Sequence, residues 1–167
     1  MSTLSLATNL AIADSHTFLS DNEVFLAIEN PHREAEAWAT CSASLDILAE
    51  IAAEDSPAQA KQIHQSANGA GVAIAMSIIA DGIDEEKSPE QLSNMMTFAV
   101  TQMDSLVDVE RVAILSELEK MSQNSQADKF MEKLGNTAAV CSKNAETQQM
   151  YIDLWKDMAK SGMFDFD

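Results

Sequence analysis

Three prolines divide this chain, and each follows a residue type that caps helices. They occur in the pairs Asn30-Pro31, Ser56-Pro57 and Ser88-Pro89. Proline suits the first position of an α-helix, because its missing N–H has no intrahelical partner there and its fixed φ is already helical. Asparagine and serine are preferred just before that position, and glutamine stands three residues after both serines, which completes the capping-box pattern. The pairs therefore predict three helix starts.

Further starts are indicated where no proline is present. Ser20-Asp21-Asn22-Glu23 has the capping-box pattern, Asp108 can cap a helix that begins at Val109, and Ser125 is a weaker sixth candidate. Apolar residues recur at steps of three and four between these starts, as on one face of an α-helix. The sequence thus predicts six helices, at about 21–29, 31–54, 57–81, 89–104, 109–122 and 126–160, with a kink or break at Gly135 in the last.

The fold class predicted from these segments is all-α, a single-domain helical bundle of up-down type. The 5 glycines and 3 prolines are too few for a disordered linker or a large all-β fold, and 46% hydrophobic residues are too many for a disordered acidic protein. Short connections favour antiparallel neighbours. Residues 67–80 are apolar nearly all round, so the helix at 57–81 is predicted to be buried at the centre.

The predicted domain covers residues 20–160. It is preceded by an arm at 1–19, whose conformation the sequence leaves open, and followed by an acidic-aromatic tail at 161–167 that is either frayed or a docking peptide. The first basic residue is Arg33, so the start lacks the positive region of a secretory signal. The apolar run at 67–80 is shorter than the roughly 18–20 residues that span a bilayer. We expect a soluble, cytoplasmic protein.

The two cysteines give the same indication of compartment. Cys41 and Cys141 are far apart in sequence, and each has apolar neighbours at helical spacing. Isolated cysteines in such a chain favour a reducing compartment, where they would be small buried hydrophobic residues. A disulfide or a reactive thiol is the alternative.

The charge balance excludes some partners and favours others. Against 27 Asp and Glu stand 10 Lys and Arg, a formal net charge of −17. Direct contact with nucleic acid or with an anionic membrane needs many Lys and Arg, so neither is expected. A basic protein partner is compatible with this charge.

Carboxylates are concentrated at two places in the chain. Asp46, Glu50 and Glu54, here called the acidic ladder, are spaced i, i+4, i+8 on one helical face, and Asp55 extends it. Like charges at this spacing weaken a helix by a few tenths of a kcal/mol per pair. No Lys or Arg follows Arg33 in that helix to relieve them. A second acidic patch follows the next helix; its residues are Asp81, Asp84, Glu85, Glu86 and Glu90. Both patches are predicted partner-binding sites, or else solvated faces.

Small residues at Ala67, Gly71 and Ala75 form a row one turn apart, which indicates close approach of another backbone. Packing within the chain is one explanation, and a homodimer contact is the other. The three histidines (His16, His32, His64) lie in different segments, and no nucleotide-binding, zinc-protease or nucleophile motif is present. The sequence therefore predicts no metal site, no cofactor and no catalytic residue.

The function predicted from these features is that of a non-enzymatic acidic protein, an inhibitor that occupies a basic, nucleic-acid-binding surface of another protein. A phage or mobile-element protein directed against a defence system is an example. One alternative is a chaperone or adaptor that offers a methionine-rich groove (Met95, Met96, Met103, Met121) to a client. The other is a helical enzyme or metal carrier whose residues converge from distant helices.

Overall fold

The computed structural model describes residues 18–80, 82 and 87–162. Within these residues all regular structure is helical, which confirms the all-α bundle. A short 3-10 turn at Phe25–Ala27 precedes five α-helices. Their bounds are α1 Pro31–Ala53, α2 Pro57–Ala80, α3 Pro89–Gln123, α4 Ala127–Lys143 and α5 Ala145–Lys160. Of the predicted arm at 1–19 the structure describes Phe18 and Leu19, and of the predicted tail at 161–167 it describes Ser161 and Gly162; the rest lie outside the described residues.

All three prolines begin helices, as predicted. The Asn30 side chain accepts from the N–H groups of His32 and Arg33 at 3.0 and 3.1 Å, which caps α1. At the start of α3, Ser88 and Gln91 form a reciprocal capping box: Gln91 N–H donates to Ser88 Oγ, and Ser88 N–H donates to Gln91 Oε1 at 2.8 Å. Two N-terminal N–H groups are thereby satisfied at each of these helices, as the sequence pattern requires.

The predicted boundary at Asp108 is wrong, because α3 runs unbroken for 35 residues. Asp108 is exposed within the helix rather than at its start. No glycine or proline lies between positions 89 and 123, so nothing in the backbone stops the helix once it has formed. A capping residue type alone does not start a helix where the preceding segment is already helical.

The single helix predicted at 126–160 is instead two helices, and the break lies at Asn144 rather than at Gly135. Gly135 is an exposed position inside α4. The Asn144 side chain accepts from Phe25 N–H and donates to the carbonyls of Glu23 and Val140, each at 3.0 Å. Asn144 is 5% exposed. It therefore ends α4 and ties the segment before α1 to the bundle, while the helix predicted at 21–29 is reduced to the 3-10 turn.

Helices α1 and α2 form the antiparallel centre of the bundle. Ser42 Oγ donates to the carbonyl of Ala67 at 3.1 Å, and Asp46 lies opposite His64. Residue numbers therefore rise along α1 where they fall along α2, as in an antiparallel pair. Residues of α2 from Ala67 to Ile79 are largely buried, as predicted for 57–81. Helix α1 is buried over a similar length, Ala35 to Ala49. Two helices, rather than α2 alone, therefore carry the core.

The core has two apolar clusters. The larger surrounds Trp38 and Ile74 and includes Phe25, whose ring stands edge-on to Trp38 with centroids 4.5 Å apart. The smaller lies where α1, α3 and α4 meet, around Ile47, Ile114 and Phe130. No described helix is long and apolar enough to cross a membrane.

Candidate functional site

The acidic ladder lies on the second half of α1 and faces solvent. The Asp46 side chain is 28% exposed and that of Glu50 is 64% exposed. Glu54 and Asp55 are both exposed in the turn that leads to α2. The sequence prediction that these four carboxylates share one surface region agrees with where the helix places them.

The expectation that the ladder has no intramolecular counter-charge is wrong for two of its members. Arg111 of α3 donates from one guanidinium nitrogen to both carboxylate oxygens of Glu50 at 2.8 Å. His64 of α2 places Nδ1 2.8 Å from Asp46 Oδ1, a pair that is ionic when the imidazole is protonated. Both partners come from other helices, so the sequence of α1 alone does not predict them. Glu54 and Asp55 have no ion-pair partner in the described part of the chain.

An open groove of about 450 Å³ runs beside the ladder, between α1, α2 and α3. Its charged lining residues are Asp46, Glu50, Lys61 and Arg111, and His64 also lines it. The groove thus carries both signs of charge, and the excess of negative charge on this side of the molecule lies beyond it, at Glu54 and Asp55.

The second acidic patch is mostly outside the described residues. Asp81, Asp84, Glu85 and Glu86 belong to that undescribed part, and Glu90 is exposed in the first turn of α3. A negative side chain in a first turn is favourable for the helix dipole, so Glu90 has a structural role that is independent of any partner.

The small-residue row of α2 is occupied within the chain. Ala67 and Ala75 are 0% exposed, and Gly71 is also buried. A Cβ on Gly71 would come to 3.3 Å from Met103 Sδ of α3, and a Cβ on Gly69 would clash with Gln148 of α5. The glycines let two other helices approach α2, which is the intramolecular explanation. Because the row is buried, it offers no exposed surface for the alternative, a homodimer contact.

The cysteines are buried as predicted, but they are not free. Cys41 of α1 and Cys141 of α4 form a disulfide, with the two residues 0% and 3% exposed. Disulfides persist in oxidising compartments and are rare in reducing ones. The argument from isolated cysteines to a reducing, cytoplasmic location therefore fails. Two cysteines so far apart in sequence give no signal of whether their helices will meet.

A buried polar cluster was missed by the sequence analysis. Glu34 in the first turn of α1 is 7% exposed, and its Oε1 accepts from Trp38 Nε1 at 3.2 Å and from the Tyr151 hydroxyl at 2.8 Å. Burial, together with the hydrogen bond to Glu34, raises the pKa of Tyr151 to about 12. The cluster joins α5 to α1 and keeps a carboxylate at a helix N-terminus, where the dipole favours it. The spacing of Glu34 and Trp38, four residues apart, was the available signal.

A second shifted pKa is that of Glu110 on α3. Desolvation by burial raises the pKa of Glu110, and the Thr40 hydroxyl, which donates to it at 3.3 Å, opposes that shift. The nearby negative charge of Glu36 adds to the increase. A partly buried carboxylate next to another carboxylate is thus a local electrostatic cost to the fold.

The four methionines predicted to line a client groove differ in burial. Met96 and Met121 are 4% and 7% exposed, and Met95 and Met103 are half-buried against the larger apolar cluster. Two of the side chains therefore belong to the core, and the other two pack on its edge. For metal binding, no group of three or more His, Cys, Asp or Glu is assembled among the residues that the structure describes.

Comparisons with protein-family models, with curated proteins and with solved structures found no match to this chain.

Proposed function

We propose that this chain is a non-enzymatic interaction protein whose acidic surface occupies a basic surface of another protein in place of nucleic acid. The observation that carries the proposal is the excess of carboxylates. Even if each of the 10 Lys and Arg neutralised one of the 27 Asp and Glu, 17 carboxylates would remain. Such a surface attracts basic partners and accelerates their association.

The end of α1 is a place where this excess works against the fold. Helices α3, α4 and α5 each have Lys in the last turn, where a cation is favoured by the helix dipole. Helices α1 and α2 have no basic residue there, and α1 is followed by Glu54 and Asp55. Acidic groups at a helix C-terminus are unfavourable by about 0.3–1 kcal/mol each. A role in binding supplies a reason for carboxylates at a position where folding disfavours them.

The two ion pairs of the ladder do not block such a role. Exposed ion pairs are worth about 0–1 kcal/mol, because water and salt screen them and ordering long side chains costs entropy. Glu50 is 64% exposed while paired with Arg111, whereas Asp46 is 28% exposed while paired with His64. Arginines or lysines of a partner can therefore compete with Arg111 for Glu50, the most exposed member of the two pairs.

The spacing of the ladder suits a surface that otherwise binds DNA. Carboxylates at i and i+4 are about 6 Å apart along a helix axis. Every second phosphate of one DNA strand lies about 7 Å farther along the duplex axis. A helix with this spacing would present negative charge to basic side chains at nearly the interval of alternate phosphates. An inhibitor of a nucleic-acid-handling protein is the form of the proposal that we favour.

The test begins with affinity purification from the source cells, and the basic proteins among those captured are taken as candidates. Binding of each purified candidate is then measured by surface plasmon resonance with the parent chain and with Glu54→Lys/Asp55→Lys. The matched control is Asp108→Lys/Glu132→Lys, which changes the net charge equally at exposed positions of α3 and α4. We expect the first variant to weaken binding at least about tenfold, which corresponds to 1.4 kcal/mol.

Three further measurements accompany it. Binding should weaken as salt rises through the physiological range, and duplex DNA should compete for the same partner. Circular dichroism must show that both variants remain helical. Equal binding by the parent chain and Glu54→Lys/Asp55→Lys would refute the proposal, and so would a partner that binds the inhibitor and DNA at the same time.

A further inference from the structure

The two sulfur atoms of the disulfide have different surroundings. Cys41 and Cys141 are 0% and 3% exposed, and both belong to the larger apolar cluster. Cys141 also lines a second groove, whose lining does not include Cys41. The groove therefore reaches the disulfide at its Cys141 end.

This groove lies between α1, α2, α4 and α5. Leu45 and Ile63 form part of its apolar wall, while Ser66, Ser142 and Gln148 are among its polar lining residues. Gln148 Nε2 donates to the carbonyl of Ser66 at 2.9 Å and so joins α5 to α2 beside the groove. The volume of the groove, about 360 Å³, is many times the roughly 30 Å³ that one water occupies in the liquid. A small thiol therefore fits.

The lining of the groove is uncharged, in a chain whose net charge is −17. The first groove, beside the acidic ladder, has two carboxylates in its lining. A thiolate that enters the second groove meets serine, glutamine and aliphatic side chains instead of carboxylates. Local charge at the disulfide thus does not oppose an anionic nucleophile.

We propose that this second groove is a thiol–disulfide exchange site, at which a small thiol or dithiol attacks Cys141 Sγ. The thiolate forms a new sulfur–sulfur bond with Cys141 as the Cys41–Cys141 bond breaks, and Cys41 Sγ leaves with the electron pair and takes up a proton. With a dithiol, the second thiol of the reagent attacks its own bound sulfur and releases Cys141. The protein disulfide gains two electrons, and the dithiol is oxidised to its disulfide.

The first test compares the two cysteines one at a time. Cys41→Ala leaves Cys141 as the only thiol, and Cys141→Ala leaves Cys41. Both variants lack the disulfide, so each is a control for the other. Each native variant is reacted with an excess of a chromogenic aromatic disulfide, and the rates are compared with those of the same variants in denaturant. We expect native Cys141 to react at least tenfold faster than native Cys41, and the two unfolded variants to react alike. Equal native rates, or a faster Cys41, would overturn the proposal.

The second test keeps the disulfide intact and blocks access to it. Ser142→Trp places a large side chain on the exposed position next to Cys141, and Ser116→Trp makes the same change on exposed α3, outside the groove. Reduction by dithiothreitol is followed by mass spectrometry of alkylated samples. We expect Ser142→Trp to slow reduction at least fivefold and Ser116→Trp to leave it unchanged. Equal rates in both variants and the parent would mean that reduction requires global opening, which would overturn the assignment.

Discussion

Replacing both cysteines with alanine is expected to lower the free energy of unfolding by several kcal/mol. The disulfide joins positions 100 residues apart. The loop-closure model assigns a loop of this length an entropy of about 16 cal/mol/K, or about 4.7 kcal/mol at 25 °C. Unfolding entropies near 2.1 cal/mol/K per residue convert that loss into a fall of about 13 °C in Tm for a chain of this size. Reported losses for native disulfides, about 2–5 kcal/mol, bracket the estimate.

Urea unfolding followed by circular dichroism measures this loss. The parent chain is compared with and without a phosphine reductant, and Cys41→Ala/Cys141→Ala is measured under both conditions. The reductant should destabilise the parent by about 3–5 kcal/mol and leave the alanine variant unchanged. A loss below about 1 kcal/mol on reduction would refute the loop-closure reasoning, because it would mean that the unfolded chain gains little freedom when the bond is cut.

Three further predictions concern polar groups inside the bundle. Asn144→Ala should destabilise the protein by about 2 kcal/mol, because the buried N–H of Phe25 loses its acceptor, and hydrogen exchange should rise in the segment before α1. The phenol of Tyr151, the single tyrosine, should titrate at about pH 12 by near-ultraviolet absorbance; a midpoint at the ordinary value of 10.0 would contradict the described burial and its bond to Glu34. Because the pKa of Glu110 is raised in the folded state, its ionisation destabilises the fold as pH rises through that pKa. Glu110→Gln should therefore be more stable than the parent at pH 7, and the difference should vanish in acid. Urea unfolding midpoints measured across this pH range test it.

Helix starts were predicted well where the signal was local. Asn30 and Ser88 cap their helices through hydrogen bonds to residues two or three positions away, so the chain carries the whole interaction. The predicted ends at 54, 81, 122 and 160 lie within one residue of observed helix ends, but breaks within the helical segments were predicted less well. Asn144 ends α4 because it bonds the backbone of residues 119 and 121 positions away. That interaction has no local sequence pattern.

The acidic site shows the same division. The spacing of Asp46, Glu50 and Glu54 determined that they share a face of α1, since helical geometry follows from local sequence. Whether that face has counter-charges depended on which residues of α2 and α3 lie opposite. The structure supplied His64 and Arg111 for two of the carboxylates and none within its described residues for Glu54.

By itself, the sequence determined the helical class, three helix starts, the burial of the second half of α2 and the large negative charge, because each follows from local geometry, periodicity or counting. Only the tertiary structure decided that Cys41 meets Cys141, that Glu34 is enclosed with Tyr151 and that the glycines of α2 admit α3 and α5. These outcomes depend on how helices pair and at what register, which is set by packing of the whole core and leaves no pattern along the chain.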